Sequence, residues 1–156
     1  MEKQIMWAAL VAAGGWMWFY LFLRQLIFSI FTAMPMVKRF SSAGEELMSV
    51  NAKRYVWMTT VVWILICGGI AAAVIVFCKM YIWISFLAGG LIGLLLYVKR
   101  LTPETRSNFD SFCTTYYLFV PDDELRTAMF NNKLPQIKTR LAELGVDKDK
   151  IIPNFK

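Results

Sequence analysis

Charge is missing from three long stretches of this chain: Ile5 to Leu23, Tyr55 to Cys78 and Met80 to Val98 contain only apolar and uncharged polar side chains. A helix rises about 1.5 Å per residue, so each stretch reaches roughly 28 to 36 Å, enough to cross a hydrocarbon core of about 30 Å. The pattern predicts three membrane-crossing helices at about residues 5–23, 55–78 and 80–98. After residue 98 the pattern changes, and apolar positions recur at helical spacing among polar ones. The expected fold is therefore an all-α membrane protein, with three transmembrane helices in residues 1–98, a loop at 24–54, and a small helical tail at 99–156.

Within the tail, Thr102-Pro103-Glu104 supplies an N-cap, a proline at the first helical position and an early acid. Phe109, Phe112, Cys113, Tyr116 and Val120 then share one helical face. Pro121 with Asp122, Asp123 and Glu124 opens a second helix that ends near Asn131 and Asn132. A third begins by Pro135, turns Leu134, Ile137, Leu141 and Leu144 inward, and stops at Gly145 with Val146 placed for a hydrophobic C-cap contact. Pro153 argues against a fourth helix, so Asp147 to Lys156 is expected to be irregular.

The region after the first span is open to two arrangements. Gln25, Ser29 and Thr32 lie along one stripe of a helix. In the preferred arrangement Arg24 snorkels to the headgroups, and Gln25 to Ala33 lies along the interface with that stripe toward water. In the other, one long helix runs to about Ala33 and Arg24 faces a protein partner inside the membrane. Pro35 ends the helix in both. Ser42-Ala43-Gly44-Glu45 has the form of a capping box, which would start the second helix near Ala43 and carry it to about Phe77.

Composition agrees with this class: the chain of 156 residues is 58% hydrophobic and 18% charged, against about 45 to 50% and about 25% for a soluble domain. The tail is near the size at which a core of its own is marginal, so it is expected to lean on the membrane part or on a partner. Its apolar residues Phe109, Phe112, Tyr116 and Leu141 are the candidate docking face.

Basic residues set the expected orientation. Lys38, Arg39, Lys53 and Arg54 lie between spans one and two, and Lys99 and Arg100 follow span three, whereas only Lys79 separates spans two and three. By the positive-inside rule the first loop and the tail face the cytoplasm and the N-terminus lies outside. These six side chains are the candidate contacts to lipid headgroups. A cleaved signal peptide is disfavoured because the first apolar run continues unbroken to Leu23. The net charge of +6 is mostly juxtamembrane, and the tail is close to balanced, so nucleic acid is not an expected partner.

Small residues recur at helix-packing intervals: Gly89 and Gly93, Gly68 and Ala72, Gly69 and Ala73, Ala8 and Ala12, Ala9 and Ala13. Packing within the chain accounts for them all, but Gly89, Gly93, Gly69, Ala73 and Arg24 are also the candidate contacts to partner helices.

Candidate chemistry is sparse. There is no histidine, and the three cysteines, Cys67, Cys78 and Cys113, have no disulfide or metal-ligand spacing. Asp110, Ser111 and Cys113 lie close in sequence, but the helical register turns Cys113 to the apolar face. No acid occurs between Lys3 and Gly44 or between Leu47 and Pro103, which disfavours ion-coupled transport. Neither a cofactor nor a metal is expected. The reading is a non-enzymatic accessory or assembly subunit of a larger complex in a bacterial plasma membrane. A homo-oligomeric channel or facilitator is the alternative, and a lipid-modifying enzyme using Glu45, Glu46 or Asn51 ranks third.

Overall fold

The computed structural model describes residues 2–97 and 105–155, and every regular element among them is helical. Three helices are long and apolar enough to cross a membrane: α1 (Glu2–Ala43), α2 (Val50–Phe77) and α3 (Met80–Tyr97). Four shorter ones follow: α4 (Arg106–Tyr116), α5 (Asp123–Phe130), α6 (Leu134–Glu143) and α7 (Lys148–Ile151). They form two compact units, one from residues up to Ile27 with those from Thr60 to the end of α3, the other from Phe28–Thr59 with the chain after residue 105.

In the first unit α1 packs on α3. Gly15 lies against the backbone of Phe86, Gly89 against the backbone of Ala12, and Gly90 and Gly93 against the Trp18 and Phe19 rings. Gln4, Ile5 and Ala8 near the start of α1 line one hollow with Tyr81 and Ser85 near the start of α3, and further along both helices the Phe19 and Tyr97 rings are 5.9 Å apart. The two helices therefore run parallel. A chain that crosses a membrane three times must have its first and third spans parallel, so this pairing is what three crossings require. Lipid gives apolar helices no hydrophobic reason to associate, and close backbone approach at glycine supplies dispersion contact instead.

Helix α1 does not stop at Pro35. It contains two wide turns, Phe19–Leu23 and Ser29–Ala33; after the second, the Met34 N–H bonds to the carbonyl of Ser29, five residues back. In a regular α-helix a proline ring collides with the carbonyl four residues earlier. The shifted register of the wide turn relieves that collision, and the helix continues to Ala43. The preferred interfacial arrangement for 25–33 is also corrected, because Ser29 and Thr32 are buried rather than turned to water, while Gln25 is exposed.

The expected capping box does not form either. The Ser42 hydroxyl donates to the Arg39 carbonyl at 2.8 Å, closing α1 rather than opening α2. Gly44 then takes φ 147°, a conformation that favours glycine, and ends the helix. Glu45 and Glu46 are exposed in the turn, and α2 begins at Val50.

The second unit joins the end of α1 and the start of α2 to α4 through α7. Met36, Val37, Phe40, Leu47, Met48 and Val56 share one buried cluster with Phe109, Phe112, Tyr116, Leu125, Met129 and Leu141. The tail thus leans on residues 28–59 of its own chain. Its punctuation follows the local sequence. The Asp122 carboxylate accepts from the Leu125 N–H at 2.7 Å to open α5. At the end of α6, Gly145 takes φ 73°, with Val146 N–H bonded to Leu141 O at 2.9 Å and Gly145 N–H to Ala142 O at 3.0 Å. The expected irregular end instead contains the one-turn helix α7, capped by Asp147, which accepts from the Asp149 N–H at 3.1 Å. Burial of Ile151, Ile152 and Pro153 holds that turn in place. The cap expected from Thr102 to Glu104 lies outside the described residues.

Candidate functional site

The Asp110, Ser111 and Cys113 group is held in structural contacts, whereas Glu45, Glu46 and Asn51 are exposed. Asp110 is paired with Arg106 at 2.7 Å, and the Ser111 hydroxyl donates to the Ser107 carbonyl at 2.9 Å. Cys113 is fully buried, and burial, reinforced by the nearby Asp110 carboxylate, pushes its thiol up to about 12. A nucleophile needs the thiolate near neutral pH, and here the thiol stays protonated. Burial likewise lifts Tyr116 to about 12, opposed by its hydrogen bond with Thr59. No group of three or more His, Cys, Asp or Glu able to hold a metal occurs among the described residues.

Electrostatics divide the chain. Arg106, Arg126 and Arg140 in the tail each meet a carboxylate, and Arg140 meets three, Asp122, Glu124 and Glu143, at 2.8 to 3.0 Å. Lys38, Arg39, Lys53 and Arg54 have no described carboxylate within ion-pair distance; Glu45 and Glu46, the acids nearest them in sequence, are exposed in the turn. Arg24 is half-buried, with its guanidinium 5.4 Å from the Tyr20 ring. Lys99 and Arg100 lie outside the described residues.

The Arg140 cluster governs an acid-sensitive contribution to stability. The hydrogen bond from Arg140, ahead of a weaker one from the Leu125 N–H, holds the Asp122 carboxyl below its ordinary value of 3.8, against an opposing effect of burial that is smaller than that of Arg140. A carboxyl lowered in the folded state stabilises it fully above the ordinary value and stops doing so as pH falls through the folded value. Asp122→Ala should therefore cost about 0.5–2 kcal/mol near neutral pH, the range for a lost N-cap. Denaturation of both proteins between pH 6 and pH 3 should show that difference shrinking with acid; a constant difference would contradict the assignment.

Among the described residues, hollows occur in both units. One, of about 330 Å³, lies beside α5 and α6 and is lined by Glu124, Gln136, Thr139, Arg140 and Glu143, with Arg140 paired to both glutamates. Another, of about 400 Å³, lies between the starts of α1 and α3, lined by Gln4, Ile5, Ala8, Tyr81 and Ser85. The Ser85 hydroxyl already donates to the Tyr81 carbonyl at 2.7 Å. No family model, curated protein or solved structure matches this chain.

The candidate contact residues separate clearly. Gly89 and Gly93 are buried against α1 of the same chain. Phe109, Phe112, Tyr116 and Leu141, read from sequence as a docking face, are core side chains of the second unit; of the two supports expected, the rest of the chain or a partner, the chain supplies Phe40 of α1 and Tyr55 of α2, at 5.7 Å from Phe112 and 5.8 Å from Tyr116. Gly69 and Ala73 stay exposed on α2. A Cβ added at Gly68 or Gly69 would meet nothing within 4 Å. Sequence reading passed over Gly15, although its spacing of three from Ala12 and its neighbour Gly14 marked a second small-residue ridge on α1.

Proposed function

We propose that this chain is a non-enzymatic accessory subunit of a larger complex in a bacterial plasma membrane. Its N-terminus lies outside and its second unit in the cytoplasm, as the basic residues around the spans direct. One observation carries the reading: Gly68, Gly69, Ala72 and Ala73 form an exposed small-residue face on α2. Small side chains matter in lipid where another backbone comes close. The α1–α3 pair is an example of such spacing when it is matched, with Gly15 and Gly89 each against the facing backbone. A helix from another subunit is the complement that α2 lacks. The inert Cys113 and the neutralised tail arginines favour an assembly role over catalysis.

Extraction in mild detergent followed by native mass measurement tests this. The chain should occur in a particle with unlike protein subunits. A particle made only of copies of the chain would replace this function with that of a homo-oligomeric channel or facilitator.

A further inference from the structure

The described tail leaves two large apolar side chains exposed, Leu118 at 70% and Phe130 at 55%, and they belong to one end of the second unit. Leu118 is in the tight turn Tyr117–Phe119, and the Tyr117 ring lies 5.0 Å from that of Phe130. The same turn is fastened to the start of α2: the Phe119 carbonyl accepts from the Ser49 N–H at 2.9 Å, and the Phe119 ring lies 5.0 Å from that of Tyr55. Tyr55 is where the apolar stretch of α2 begins. Lys53 and Arg54, just before it, are exposed without a described carboxylate partner, and Trp57 and Met58, just after it, are exposed as well.

We infer that the Tyr117–Phe119 turn, with Phe130, is a membrane anchor that inserts Leu118 into the boundary between headgroups and acyl chains of an anionic bilayer. Two arguments choose lipid as the occupant. The first is continuity: the turn is bonded to α2 at the level where that helix leaves its apolar stretch, so a bilayer around the stretch meets the turn. The second is charge, since unpaired cations beside apolar and aromatic side chains match an anionic interface. A protein surface would not need both at this level. The inference goes beyond the proposed assembly role and holds whether or not partner subunits exist.

Spin labels at Leu118→Cys, Phe130→Cys and Thr139→Cys test it in the full chain, in phosphatidylcholine and phosphatidylglycerol vesicles. Cys67 and Cys78 are replaced by alanine, while buried Cys113 stays, its thiol protonated. Positions 118 and 130 should collide with oxygen several times more often, relative to a water-soluble nickel chelate, than position 139 does. A ratio at both positions equal to that at 139 would overturn the anchor. Shielding of both from oxygen and nickel alike would also overturn it, in favour of a protein covering this face. Leu118 and Phe130 are both largely exposed, so either variant should fold, and agreement between them guards against a local artefact of one.

Discussion

Leucine at position 89 should pull α1 and α3 apart. A Cβ at Gly89 would run into the Ala12 carbonyl and its backbone carbon atoms, which cannot swing aside as a side chain can. Overpacking a well-packed site typically costs about 1–3 kcal/mol, and an obstructing backbone places this change at or above the upper end. Insertion should be unaffected, since leucine favours the bilayer. Labels at Gln4→Cys and Tyr81→Cys, which line the same hollow, should report a longer distance in the variant. Gly14→Leu is the control, because a Cβ there meets nothing within 4 Å. An unchanged distance in Gly89→Leu would show that this glycine does not set the helix pair.

The second large effect is expected at Phe112, which is fully buried, stacks on Tyr116 at 5.1 Å and lies 5.7 Å from Phe40. Truncating such a side chain to alanine costs about 3–5 kcal/mol, and aspartate adds the desolvation of a charge. Phe112→Asp should therefore unfold the second unit while sparing the α1–α3 pair. Hydrogen exchange should show amides of 106–155 losing protection. The isolated segment 101–156 should also fail to unfold cooperatively, since it lacks Phe40, Leu47 and Met48, which complete its core. A sharp thermal transition of that segment would contradict the shared core.

What the sequence made legible follows the range of each interaction. The three apolar stretches are set by length and charge alone, and α2 and α3 fall where those quantities place them. Local caps were equally readable: Asp122 opens α5 and Gly145 closes α6 because each acts on amides or carbonyls a few residues away. Non-local packing was not readable. Ser29 and Thr32 looked like a wet stripe by spacing, yet they are buried in a unit that joins residues 28–59 to the distant tail. Pro35 looked like a stop because the wide turn that accommodates it has no signature of its own. Ser42 fits a cap in either direction, and Gly44 decides between them through a backbone angle that sequence only permits. The apolar face at Phe109, Phe112, Tyr116 and Leu141 was legible by spacing, but spacing could not choose between the two supports it allowed, the chain's own residues or another protein, and it packs on the chain's own residues.

The central claim is that the open face of α2 is occupied by another protein's helix. A photo-crosslinking amino acid at Gly69, activated in native membranes, tests it most directly, because a side chain there enters open space without disturbing the fold. The account predicts adducts with an unlike membrane protein, diminished when Ala73 is changed to leucine on the same face. Adducts with lipid alone, or only with copies of the chain, would contradict it.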